Sequence, residues 1–220
     1  MEIGVREASE RLGVSDRRVR ELINAGRIPA RLIGGRYLVN EVDLVRAPAV
    51  SRPMSARIAW AFIALLSGDP PDGVSAAELV RLRKKLAHLD VEPDPALLLR
   101  SWLARRCPAR SYSAAPEDLT EIGQDERVVA SGISDQRSGL SSAGEFEGYL
   151  AEDDVDGVAA DYLLSGIGKP NVVLHVHGLA HDMPAPIGVV LADLADRRSA
   201  REDGKVRELL RSQVSTGVRR

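Results

Sequence analysis

An α+β protein in three parts is predicted by three features of the sequence. Residues 5–24 carry two short apolar stripes of helical period, followed by a Gly-Gly turn between apolar and basic runs. Residues 56–106 hold segments of helix length with no strand pattern, and from 110 onward β-branched runs alternate with helical stretches. The expected boundaries are 1-47, 48-109 and 110-220. The 220 residues, 44% hydrophobic and 28% charged, suffice for a sizeable core and suit one large domain or two to three small ones.

Composition narrows the function classes. No segment approaches the roughly 18 apolar residues that span a bilayer, and Met1-Glu2-Ile3-Gly4 opens no basic and then apolar leader, so the expectation is a cytoplasmic protein with no membrane partner. The single Cys107 has no second cysteine for an intramolecular disulfide or a cysteine-based zinc site. A net charge of −2 conceals an asymmetry. Residues 1–57 hold 11 Lys+Arg against 7 Asp+Glu, residues 58–110 hold 8 against 6, and residues 111–220 hold 11 against 19. The amino-terminal part can approach a polyanion, whereas the acidic carboxy-terminal half suits a basic protein.

Val5, Ala8 and Leu12 recur at i, i+3 and i+7, which gives a first helix ended by Gly13 and anchored by Val14. Ser15 is a good N-cap for a second helix with Val19, Leu22 and Ile23 as its apolar stripe, closing at Asn24-Ala25-Gly26. With that stripe inward, Asp16, Arg17, Arg20 and part of Arg18 project outward near the amino-terminal end of the second helix, where recognition helices meet base edges. Ile28, Arg31-Leu32-Ile33 and Arg36-Tyr37-Leu38-Val39 flank Gly34-Gly35, which can take the positive φ of a two-residue hairpin. Asn40 to Leu44 reads as a cap and a short third helix. The order of elements is that of a winged helix-turn-helix.

The stretch "VREASERLGVSDRRVRELINAGRIPARLIGGRYLVNEVDL" resembles the excisionase-type winged helix-turn-helix related to the MerR family, over residues 3 to about 46. The resemblance implies that the second helix enters the major groove and that the wing, here Arg31, Arg36 and Tyr37, touches backbone or minor groove. The expected DNA-binding set is therefore Ser15, Asp16, Arg17, Arg18, Arg20, Arg27, Arg31, Arg36 and Tyr37.

"RAPAVSRPMS" marks a linker. Ser55 then caps an apolar helix from Ala56 to about Leu66, "SGDPPDG" breaks the chain, and "SAAELVRLRKKLAHL" forms an amphipathic helix. Its Leu79, Leu82, Leu86 and Leu89 face inward, and Arg81, Arg83, Lys84 and Lys85 face largely outward. That basic cluster reads equally as a phosphate contact or as a solvated face. A further helix from about Pro95 to Arg106 completes a connecting bundle.

Beyond Arg110, "RVVAS", "EFEGYL", "PNVVLHVHG" and "PIGVVLA" read as strands, and Asp153–Leu164 and Ala200–Gln213 as helices. The phrases "RVVASGISDQRSGL", "NVVLHVH" and "DLADRRSAREDGKVRELL" resemble the carboxy-terminal domain of AbiEi-type antitoxins, over about residues 50 to 213. That family more often carries a different winged domain. The resemblance implies a toxin-antitoxin pair in which this chain neutralises a nucleotidyltransferase-like toxin and represses its own promoter, with self-association on DNA as a further arrangement.

Two other readings compete. In one, the chain is a stand-alone regulator or excisionase-like architectural protein whose carboxy-terminal domain only dimerises. In the other it is a His-metal hydrolase with a DNA-targeting head, because His175 and His177 share one face of a strand and a loop brings His181. The preferred reading of these histidines is a strand with two polar residues toward solvent. The run Glu152-Asp153-Asp154-Val155-Asp156 opens a helix, where carboxylates gain from the macrodipole. Ser131-Gly132 lacks the Gly-x-Ser order of a nucleophile elbow, and neither a P-loop nor a GxGxxG fingerprint appears. No catalytic residue, metal or cofactor is expected.

Overall fold

The structure is a computed structural model describing residues 2–12, 14–24, 28–41, 52–141, 144–181 and 183–215, with residues 214 and 215 described by backbone only. The chain divides into two compact units, Met1–Ser51 and Arg52–Arg220. Gly13, Arg27 and most of the expected third helix lie outside the described residues.

The first unit runs β1 (Glu2–Gly4), α1 (Val5–Leu12), α2 (Asp16–Asn24), β2 (Ala30–Ile33) and β3 (Arg36–Asn40). Its sheet has the order β1-β3-β2, antiparallel throughout, with Ile3 opposite Val39 and Ile33 opposite Arg36. Gly34 and Gly35 take φ of 57° and 76°, the paired positive values that let a two-residue turn follow the strand twist. Ile3, Ala8, Val19, Leu22, Ile28 and Val39 form the core, so both helix stripes and the inner face of the hairpin meet as the spacing predicts. Strand β1 escapes sequence reading because three residues show no period.

The second unit begins with α3 (Ala56–Ser67), α4 (Ala76–Val91) and α5 (Pro95–Leu103). Ser55 holds the N-cap position of α3 without a side-chain hydrogen bond. Ser75 makes a full capping box with Glu78 on α4, satisfying two otherwise orphaned amides. There follow β4 (Ala109–Tyr112), α6 (Asp118–Ile122), β5 (Val129–Ala130), β6 (Phe146–Leu150), α7 (Val155–Asp161), β7 (Val172–Val176), α8 (Ile187–Asp196) and α9 (Ala200–Ser215). The sheet order is β4-β7-β6-β5, with β6 and β7 parallel and α7 in the crossover between them. A single 3-10 turn, Glu152–Asp154, precedes α7, so the acidic run opens a helical segment as expected.

The two sheet faces are covered differently. Phe146, Leu150, Val172, Leu174 and Val176 point to one face and pack with Ile122, Val155 and Val158. On the other face lies a core shared by α3, α5, α8 and α9, including Phe62, Leu66, Leu99, Leu103, Val190 and Leu191. The helices expected as a connector thus pack directly on the carboxy-terminal helices.

One element departs from the sequence expectation. "PIGVVLA", read as a strand, is the start of helix α8. Every residue from Ile187 to Ala195 is buried, so the run carries no period that separates a buried strand from a buried helix. Tertiary packing decides: a Cβ on Gly188 would lie 2.5 Å from the Ile63 carbonyl oxygen and 2.9 Å from Leu66 Cβ, so only glycine lets α8 lie this close to α3. Strand β4, with the polar sequence ARSY, also had no apolar pattern to announce it.

Candidate nucleic-acid interface

The amino-terminal turn of α2 is built by its cap. Ser15 Oγ accepts from the Arg18 amide at 3.3 Å, and the Ser15 carbonyl accepts from the Val19 amide at 3.1 Å. Ser9 of α1 donates to Asp16 Oδ1 at 2.6 Å, so Asp16 is held back against α1 and fixes the angle between the two helices. It is less outward than its neighbours.

Burying Val19 and Leu22 leaves Arg17 and Arg20 exposed and Arg18 half-buried. Arg17 Nε and Arg18 Nη1 each donate to the Glu21 carboxylate at 3.0 Å, and these bonds draw the Glu21 pKa below the usual carboxylate range. Arg20 has no ion pair among the described residues. On the wing, Arg31 lies 3.5 Å from Glu2, Arg36 is exposed at the turn, and the Tyr37 hydroxyl donates to Asn24 Oδ1 at 3.2 Å. That last bond ties the wing to the end of α2. Leu32 and Ile33 are exposed at the wing tip. The cations of α1 are spent locally, Arg6 with Glu10 and Arg11 with Glu7 and Glu41. Of the described arginines on α2 and the wing, Arg17, Arg18 and Arg31 are likewise paired at the surface, and Arg20 and Arg36 are exposed without an ion pair among the described residues. Arg27 lies outside the described residues.

A short helix capped by Ser15, packed on a first helix and followed by a hairpin wing, defines a DNA-binding helix-turn-helix domain. A family model described as "Helix-turn-helix domain" matches residues 3–47. No curated protein matches the chain, and no solved structure does. No helix among the described residues is long and apolar enough to cross a membrane.

The second unit holds a buried polar cluster of which the sequence singled out only His175 and Ser131, neither as part of such a cluster. Alternation along β6 and β7 turns Glu147, Tyr149 and His175 toward α8, whose Asp193 meets them. Asp193 Oδ1 accepts from Arg106 Nη2 at 2.6 Å and from the Tyr149 hydroxyl at 2.9 Å, and Oδ2 accepts from Ser131 Oγ at 2.5 Å. Arg106 also donates to Asp196 at 2.7 Å and to the Tyr149 oxygen at 3.0 Å. His175 Nε2 lies 3.1 Å from Glu147 Oε1 and 3.6 Å from Asp193 Oδ1, and its ring stacks on Tyr149.

The expectation that His175 and His177 face solvent is therefore corrected. His175 is only 5% exposed, and His177 stacks on Trp60 with ring centroids 3.8 Å apart. The reason is that this sheet face is covered by helices, which supply the partners a buried imidazole needs. Burial opposes the charge on His175, but Asp193, a contact with Cys107 and the bond to Glu147 outweigh it and push the pKa up to about 10. Burial raises the pKa of Glu147 and of Tyr149. His181 is exposed on a loop and does not join this cluster.

Ligand atoms of Glu147, His175 and Asp193 lie within 4.8 Å of one another, close enough to hold a cation together. Their chemistry fits a different occupant. Both Asp193 oxygens already accept hydrogen bonds, and the guanidinium of Arg106, itself 4% exposed, stands where a metal charge would. The arrangement reads as an internal ion-pair network that locks α8 to the sheet.

Proposed function

We propose that this chain is a transcriptional repressor of its own operon and the antitoxin of a nucleotidyltransferase-like toxin. The observation that carries the repressor reading is the row of exposed Arg17 and Arg20 with half-buried Arg18 on the capped amino-terminal part of α2, in the same unit as the wing arginines Arg31 and Arg36. Bound at a promoter, such a head excludes polymerase by occupancy alone. The antitoxin reading rests on the AbiEi-type resemblance and on two features of the second unit. Leu163 and Ile167, 84% and 86% exposed, stand on the loop after the acidic helix α7, a combination that suits a partner with basic and apolar surface.

The test uses the full chain and separates the two roles. Arg17→Ala with Arg20→Ala should abolish the gel shift of the chain's own promoter while leaving rescue from the neighbouring toxin intact. Leu163→Asp with Ile167→Asp should do the reverse. Retained promoter binding in the first variant would sink the placement of α2 in the groove, and retained rescue in the second would remove the loop from the partner surface.

A further inference from the structure

About half of the described cations in the second unit are matched. Arg57 pairs with Glu78, Arg100 with Asp203, Arg110 with Glu152, Arg127 with Asp125, Arg137 with Asp135 and Arg197 with Glu145. Helix α4 concentrates unmatched ones. Arg81, Arg83 and Lys84 are all exposed, and none has an acidic partner among the described residues. Lys85 behaves otherwise: its Nζ sits 4.2 Å from the Trp102 ring centroid, turned toward the core.

The helix geometry makes a face of these charges. Leu82 and Leu89 are the buried residues of α4, so Lys84 points away from them and Arg81 and Arg83 project to either side, with Arg81 and Lys84 neighbours at i and i+3. The acids close in sequence are occupied: Glu78 holds Arg57 and caps Ser75, and Glu92 faces His88 at 3.6 Å. The face is also tied to the end of the unit where the chain arrives from the head, because Arg57, in the first turn of α3, bonds both Glu78 and the Gly73 carbonyl at the start of α4. Other exposed cations without an acidic partner among the described residues, such as Arg105, Lys169 and Arg198, stand apart in sequence, whereas three fall within four residues of α4. Clustered cations of this kind complement a polyanion.

We infer that the outer face of α4 is a second DNA contact, in which Arg81 and Lys84, flanked by Arg83, hold phosphates of the same duplex that the head reads. The contact carries no sequence information. It adds affinity and register, as phosphate contacts do. Since head and face belong to one chain, DNA held by the head is presented to α4 at an effective concentration of about millimolar, enough for a weak basic patch to engage. This inference rests on the head being a DNA binder.

The experiment measures binding of the full chain to a mixed-sequence duplex of about 40 base pairs as salt is varied. Each phosphate that is no longer neutralised makes the slope of log K against log salt shallower by about 0.9, so Arg81→Gln with Lys84→Gln should lower it by about 1.8 and weaken binding about sixty-fold at 0.1 M salt. Arg81→Lys with Lys84→Arg should restore both. Thermal unfolding followed by tryptophan fluorescence should not move, since the substituted side chains are exposed. A wild-type slope in the glutamine variant overturns the contact, and so does weaker binding with an unchanged slope. The Arg17→Ala, Arg20→Ala variant separates the two readings. If it loses slope while the α4 variant does not, the head reading stands and this one falls. If only the α4 variant loses slope, DNA is held by α4 without the head, and the head reading and the second contact that rests on it both fall; a wild-type chain that binds no DNA also overturns both.

Discussion

The head and the second unit use charge in opposite directions. In the head, six apolar residues make the core, and the described ion pairs all lie at the surface, where a pair contributes about 0–1 kcal/mol. In the second unit, Arg106, Asp193, Glu147 and His175 are sealed under helices, where breaking a matched set leaves an uncompensated charge. The difference teaches where selection for a surface and selection for an interior leave their marks. A DNA reader must keep its arginines outside and lightly held. A body that packs helices against a four-stranded sheet can spend arginines inside, to fix which face of the sheet α8 covers.

The largest effect should come from breaking the internal network. Arg106→Met removes the donor to Asp193, Asp196 and Tyr149 and leaves Asp193 buried beside a raised Glu147, so about 3–5 kcal/mol of the second unit's stability should be lost. Trp60 and Trp102, the only tryptophans of the chain, both lie in this unit, so their fluorescence reports its denaturation alone. A change below about 1 kcal/mol would mean that the network contributes no more than the surface pairs of the head.

The same network should make the second unit sensitive to alkali. His175 carries its proton to about pH 10 in the folded state, against 6.5 for the free side chain. A folded pKa raised in this way adds stability that is complete below about pH 6.5 and lost as pH rises toward 10. Tryptophan-monitored denaturation at pH 6, 8 and 10 should show a progressive fall that His175→Gln flattens. A stability that climbs over that range would place the proton elsewhere.

Next in size is Gly188→Ala. The new Cβ meets the backbone of Ile63 and the side chain of Leu66, so α3 and α8 must part, at a cost of about 1–3 kcal/mol. The half-buried Gly4, whose Cβ would meet nothing within 4 Å, offers the contrast in the head. Equal losses at the two sites would show that packing at Gly188 yields more readily than its contacts indicate.

How much of this was legible in the sequence also differs between the two regions. Strand β1 apart, the described elements of the head were readable, because each has a local cause: Ser15 caps, Val19 and Leu22 set the period, and Gly34-Gly35 can take the turn. In the second unit the amphipathic α4 was readable for the same reason, and its Ser75-x-x-Glu78 spacing was an available signal for the capping box. Helix α8 was not, since a segment buried on all sides loses the period that betrays a helix. The internal network was hidden for a related reason. Arg106, Glu147, His175 and Asp193 are up to 87 residues apart, and only the parallel register of β6 with β7 and the position of α8 bring them together.

The smallest predicted effect tests the head's side of the comparison. Glu21 holds both Arg17 and Arg18 in the free protein, and on DNA those guanidiniums must exchange a carboxylate for a phosphate. Glu21→Gln removes the competitor and one negative charge facing the duplex. Because each surface pair contributes at most about 1 kcal/mol, affinity for mixed-sequence DNA should rise about two- to five-fold. Stability should change by less than about 0.5 kcal/mol, as for a substitution at an exposed position. Tighter binding without a loss of stability would show that the head keeps its cations lightly held. Weaker binding would instead assign Glu21 a productive role, either aligning Arg17 and Arg18 on the groove or accepting from a cytosine amino group itself.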